Sequence, residues 1–161
     1  MVIANRSANT VWVAAGHARV GGAAPNFISH DLQGNRVSLS DFRSRPVLLT
    51  FWATWCTACK DELPALQRFE QRYSSDGLKV LAVDYRETSN ERMRQYLAGI
   101  GVTLQSVIDP QAAIATAYGV DIGLPVNIVV DRAGSVTQIM VGEVPVATIQ
   151  TALDQVIAPA A

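Results

Sequence analysis

A run of six residues with five apolar members, Val47-Leu48-Leu49-Thr50-Phe51-Trp52, leads within four residues to the pair Cys56-Thr57-Ala58-Cys59. The run predicts a strand buried on both faces. Apolar residues then recur at Leu63, Leu66, Phe69 and Tyr73, the spacing of an amphipathic helix. Strand, cysteine turn and helix follow one another directly. They place two sulfurs where helix N–H groups and the positive end of the helix dipole favour a thiolate, the reactive form. Cys56 is expected just outside the helix and exposed, as the attacking sulfur. Cys59 is expected one turn inside and more buried, as the resolving sulfur.

Three other uses of the pair compete with redox chemistry. A structural disulfide closing so short a loop restrains the unfolded chain weakly. A zinc site needs about four ligands; the chain has two cysteines and two histidines, and His17 and His30 lie far upstream. Inert buried thiols are the third. The strand, the helix and the flanking Trp52 and Trp55 favour redox function.

The run Trp52-Ala-Thr-Trp-Cys-Thr-Ala-Cys-Lys60, with Pro64 five residues after Cys59, resembles the thioredoxin-like superfamily. The form Phe51-Trp-Ala-Thr-Trp-Cys56, with Lys60-Asp61-Glu62-Leu63-Pro64, is most similar to the TlpA/ResA type (AhpC/TSA-redoxin-like) of thiol-disulfide oxidoreductase. The resemblance covers about Ala24 to Ile157. It implies a central mixed β-sheet flanked by helices, with an N-terminal β-hairpin and a central α/β insertion.

With 161 residues, 49% of them apolar, one domain with a substantial core is expected. A net charge of −1 and singly scattered arginines argue against nucleic acid or an anionic membrane surface as partner. No stretch approaches the length of a spanning helix, and Val11 to Gly16 is too short for a signal core. Proteins of the resembled branch are exported or membrane-tethered. That implies an extracytoplasmic, periplasmic or outward-facing location, with membrane attachment only through an anchor outside these residues. A monomer is expected.

Residues 1–22 carry one strand-like patch, Thr10 to Ala14, and could form a tail, a linker or an extra edge strand; a tail or linker, broken off by Gly21-Gly22, is expected, with residues 23–158 the thioredoxin-like domain. Phe27 to Asp31 and Arg36 to Leu39 predict a hairpin turned by Gln33-Gly34-Asn35. Leu78 to Asp84 predicts a strand parallel to the central one. A helix over Asn90 to Ala98, stopped by Gly99, and a strand over Leu104 to Ile108 follow. Asp109-Pro110 predicts an N-cap and first helical position opening Gln111 to Tyr118. The block from about Glu87 to Tyr118 resembles the α/β insertion of the branch. Val126 to Asp131 and Ser135 to Val141 predict an antiparallel hairpin. Pro145 starts a last helix with Val146, Ile149, Leu153 and Val156 or Ile157 along one face.

Disulfide exchange needs an accessible thiolate, a resolving thiol and a route for its proton. Glu62 lies three residues after Cys59, on the same helix face. Spacing alone leaves it equally well a solvated carboxylate favoured by the helix dipole. The resemblance implies a proton-transfer role, since the TlpA/ResA motif carries glutamate there. Thioredoxins proper carry a buried aspartate six residues before the first cysteine, where this chain has Thr50. Gly123-Leu124-Pro125 before an apolar strand matches the cis-proline facing the cysteine pair in this fold. The resemblance thus implies a substrate-binding face of Trp55, Thr57, Ala58, Leu124 and Pro125, with the Leu124 backbone pairing an extended substrate. Trp52 is expected mainly to pack. Lys60 either helps ionise Cys56 or is simply solvated.

The resemblance implies protein dithiols and disulfides as substrates, an upstream thiol electron donor, and no cofactor beyond the Cys56–Cys59 disulfide; no metal is expected. Two departures bear on direction and substrate. Thr57-Ala58 lacks the proline usual at the second position. The run Gly119 to Asn127 lacks the glutamate that the cytochrome-maturation branch CcmG carries beside its cis-proline. Extracytoplasmic reduction, with cytochrome c maturation or a related process as context, is the expected use. A peroxiredoxin is the nearest rival, but Leu49 and Ala53 stand where its site needs proline and threonine. A Sco-type copper chaperone needs Cys-x-x-x-Cys and a later histidine. A non-catalytic module leaves both cysteines unexplained.

Overall fold

A computed structural model describes residues 10–121 and 123–158. Strand β1 (Trp12–Val13), β2 (Phe27–His30) and β3 (Arg36–Ser38) form an antiparallel sheet in the order β1-β2-β3. The main sheet runs β6 (Gln105–Val107), β5 (Lys79–Asp84), β4 (Val47–Trp52), β7 (Val126–Val130) and β8 (Val136–Val141). Strands β4, β5 and β6 are parallel, and β7 and β8 are antiparallel to their neighbours. The helices are α1 (Thr57–Arg72), α2 (Asn90–Gly99), α3 (Ala113–Ala117) and α4 (Val146–Ile157). The mixed sheet, the N-terminal hairpin and the α/β insertion are as expected.

All six β4 residues are buried, because this strand lies at the centre of the sheet with cover on both faces. Period-two alternation divides the core. Leu48 and Trp52 join Leu66, Phe69, Met93, Leu97, Ile149 and Leu153 under α1, α2 and α4. Leu49 and Phe51 join Leu81, Ile128, Ile114, Tyr118, Phe27 and Val37 on the other side.

The tail or linker expected over residues 1–22 is corrected for 10–22; residues 1–9 lie outside the described residues. Val13 pairs with Phe27 across β1 and β2, Val11, Val13 and Ala18 pack on the core, and Gly21 N–H donates to Val136 C=O at 2.8 Å. A segment with this many backbone partners is the third strand of the small sheet and its continuation, so the glycines that suggested flexibility sit in a bonded turn.

Helix α3 begins at Ala113, later than the expected Gln111. Asp109 still caps it, though from outside the N-cap position, which Ala112 fills in the left-handed region at φ 57°. The Asp109 carboxylate accepts from the backbone N–H of Ile114 at 3.0 Å and of Ala115 at 2.9 Å. Val146, expected inward on α4, is exposed at its first turn. Among the described residues no helix is long and apolar enough to cross a membrane.

Candidate active site

Strand β4 ends at Trp52, and the chain turns over Ala53-Thr54-Trp55 into α1. Cys56 N–H donates to Ala53 C=O at 3.1 Å, closing the turn. Cys56 is the N-cap of α1, and its Sγ accepts from Cys59 N–H at 3.2 Å. The two cysteines form a disulfide with Cα atoms 5.3 Å apart. The first turn of α1 holds no acidic residue, so its N–H groups and dipole act on Cys56 uncompensated.

Cys56 was expected to be exposed, and this is corrected: it is 6% exposed against 1% for Cys59. The turn folds its sulfur back over the helix start, where Sγ serves as cap acceptor and partner of Cys59. The order of burial is as predicted. The exposed group at this turn is Trp55, at 67%. Trp52 is fully buried and stacks on Tyr96 with ring centroids 5.8 Å apart.

The remaining candidates fall around this pair. Thr57 is exposed, and Ala58 and Leu124 are half-buried against the cluster that holds both cysteines. The Leu124–Pro125 peptide is cis, and Pro125 is buried. Its carbonyl accepts from Gly142 N–H at 2.8 Å, bringing the segment after β8 alongside. Lys60 is exposed.

Glu62 is buried at 6% exposure, which removes the solvated-carboxylate reading. Its Oε1 accepts from Nδ2 of Asn127, a fully buried residue of β7. Burial pushes the Glu62 carboxyl above the usual range; the Asn127 hydrogen bond opposes this, and the like charge of Glu143 adds to it.

Sequence reading missed Asn127, and also Glu87, whose carboxylate accepts from the Thr54 backbone N–H. The signal for Asn127 is its chemistry: an amide inside Val126-Asn-Ile-Val-Val130, where β-branched apolar residues otherwise prevail. Glu87 gave no such signal, lying in a polar loop between β5 and α2. Among the described residues, no three His, Cys, Asp or Glu side chains are grouped to hold a metal ion.

The AhpC/TSA family profile matches residues 20–139. The thiol-disulfide oxidoreductase ResA of Geobacillus kaustophilus is 34% identical over 137 residues, covering 85% of this chain and 78% of that protein. ResA of Bacillus subtilis is 31% identical over 134 residues, covering 83% and 74% respectively. Among solved structures, a protein described as a thiol:disulfide interchange protein DsbE from Chlorobium tepidum superposes with TM-score 0.81 at 26% identity, covering 88% of this chain and 99% of that one. The exposed lipoprotein thioredoxin Etrx1 of Streptococcus pneumoniae gives 0.71 at 25% identity, covering 81% and 98%. With a cysteine pair at the N-cap of α1 and relatives of this kind along most of its length, the chain belongs to the AhpC/TSA family, in its TlpA/ResA branch, and is a thiol-disulfide oxidoreductase.

Proposed function

We propose that this enzyme reduces disulfides of protein substrates outside the cytoplasm, with Cys56 as nucleophile, Cys59 as resolving thiol and Glu62 as the group that handles a proton. The observation that carries this reading is the placement of the pair: the outer sulfur caps α1, while the inner one shares a helix face with a buried carboxylate. Similarity to ResA proteins and to an exposed lipoprotein thioredoxin supports the location.

In the reduced enzyme, the Cys56 thiolate attacks one sulfur of a substrate disulfide. A Cys56–substrate disulfide forms, and the displaced substrate thiolate takes a proton. The Cys59 thiol then gives its proton to the Glu62 carboxylate and attacks Cys56 Sγ. The Cys56–Cys59 disulfide forms, and the second substrate sulfur leaves as a thiolate that takes a proton from solvent. Two electrons pass to the substrate, and an upstream dithiol restores the reduced pair. Trp55, Thr57, Ala58, Leu124 and Pro125 form the face on which an extended substrate lies, with the Leu124 backbone pairing to it. Cytochrome c maturation, or a related process with cysteine-containing substrates, is the proposed setting.

The test is trapping. With Cys59→Ser, a substrate attacked by Cys56 stays attached as a mixed disulfide, whereas Cys56→Ser traps nothing. Reversal of that pattern contradicts the assignment of roles. Separately, Glu62→Gln is expected to alter the pH profile of exchange while the domain stays folded.

A further inference from the structure

Packing along β7 gives Asn127 no reason to be an amide. Its neighbours along β7 are Val126, Ile128, Val129 and Val130, all buried, and it is 0% exposed itself. Register places Ala82, Thr50, Asn127 and Met140 in one row across β5, β4, β7 and β8. Alternation sets this row on the face toward α1 and α4, between Val129 and the cis-proline. Nδ2 of Asn127 donates to Glu62 Oε1, while its Oδ1 is buried without a hydrogen-bond partner. A buried amide satisfied at only one end is costly, and a valine would fill the same strand position without that cost.

We propose that Asn127 is a positioning residue for disulfide exchange, whose amide holds the Glu62 side chain in both of its protonation states. Toward the ionised carboxylate, Nδ2 donates. Toward the protonated acid, a half-turn of the amide presents Oδ1, which accepts the carboxyl proton. The unpartnered oxygen is thus the acceptor that the second state uses. The inference rests on the reading of Glu62 as the proton-handling group.

The charges around Glu62 define what the amide works against. Glu143, on the segment after β8, raises its proton affinity. Asp61 and Lys60 on its own helix are exposed. The facing row supplies only the uncharged Ala82, Thr50, Asn127 and Met140. The Cys56 thiolate adds negative charge once the pair is reduced. Nδ2 donation favours the ionised form, so its loss leaves burial and Glu143 unopposed and moves proton release to higher pH.

Two measurements test this. In the reduced wild-type protein, the Asn127 side-chain amide resonances are expected to shift with pH at the same midpoint as the Glu62 carboxyl carbon. Amide resonances that stay fixed through that titration overturn the proposal, and no variant is needed. In Asn127→Leu, the limb of the exchange pH profile that Glu62→Gln removes is expected to move up by about one pH unit. Asn127→Thr, which suits a strand and can both donate and accept, is expected to keep it near the wild-type position. In a Glu62→Gln background, Asn127→Leu is expected to leave the profile unchanged. An unmoved limb in the single variant, or an equal shift in both backgrounds, contradicts the proposal. If Glu62→Gln alone leaves the profile intact, the proton-handling reading of Glu62 fails, and the resonance titration still decides whether the amide follows the carboxyl.

Discussion

Glu87 Oε1 accepts two hydrogen bonds from Thr54, one from its backbone N–H and one from its Oγ1, each 2.6 Å long. Thr54 lies two residues before Cys56, so the loop between β5 and α2 holds the reactive turn directly. The tie continues inward. Glu87 N–H donates to Asp84 Oδ2 at 2.9 Å, and Asp84 Oδ1 accepts from Asp109 N–H at 2.7 Å. Asp109 in turn caps α3. A relay of three carboxylates therefore fastens the α/β insertion to the turn that carries the disulfide.

Glu87→Ala removes both bonds to Thr54 at a half-buried site that water can reach. The expected loss of stability is about 1–2 kcal/mol, measured by urea unfolding. Faster hydrogen exchange at the Thr54 amide is the specific sign, since a general loosening would raise exchange along β4 as well. Unchanged Thr54 protection would show that the turn is held by other contacts.

Asp84 is fully buried, and desolvation raises its carboxyl to about 7, against two backbone hydrogen bonds that lower it. The folded state therefore holds a proton more tightly than the unfolded chain, where an aspartate titrates near about 4. Its contribution to stability is fully present below that unfolded value and is lost as pH rises through about 7. Burial raises Asp109 and Glu62 in the same direction. The melting temperature is expected to fall between pH 5 and pH 8, and Asp84→Asn to flatten that slope. A melting temperature that rises over this interval contradicts the assignment.

The parts legible in sequence were those with strong local signals. The apolar run of β4, the cysteine spacing, the period of α1 and the turn glycines each carry their own physics, and the strands they predict form. Gly77 and Gly119, which follow α1 and α3, adopt the left-handed φ of 83° and 72° that glycine allows. Long-range pairings were not legible. The strand-like patch from Thr10 to Ala14 is too short to choose between tail and edge strand until Phe27 and Ile28 lie beside Val13 and Trp12. Asp109 could be read as a cap but not at which turn, because the left-handed Ala112 delays the helix. The contacts Glu62–Asn127 and Thr54–Glu87 join residues 65 and 33 positions apart. No spacing rule reaches that far.

Tyr118 is buried, and its hydroxyl donates to Pro25 C=O at 2.6 Å, pinning the start of the domain to α3. Burial raises its phenol further, so it remains a donor at every working pH. Tyr118→Phe keeps the ring packed against Phe51 and leaves the Pro25 carbonyl unpaired. A loss of about 1–2 kcal/mol in unfolding free energy is expected, with exchange activity retained. A fully stable variant would show that the carbonyl finds another donor.

Trp55 is 67% exposed beside the buried disulfide, so its contribution to the core is small. Trp55→Ala is expected to change stability by no more than about 0.5 kcal/mol. Reduction of a protein disulfide such as that of insulin is expected to slow, while reaction of the oxidised enzyme with dithiothreitol is not. Equal slowing of both reactions would place Trp55 in the chemistry of the pair instead of substrate contact.

The reduction potential of the Cys56–Cys59 couple tests the proposed direction of electron flow most directly. Equilibration against dithiothreitol or glutathione, read by alkylation of the free thiols, gives the value. A reductase supplied by an upstream dithiol requires about −230 mV or lower, toward the roughly −270 mV of thioredoxin. A potential above about −180 mV would place the enzyme with oxidants and isomerases and contradict its role as a reductase.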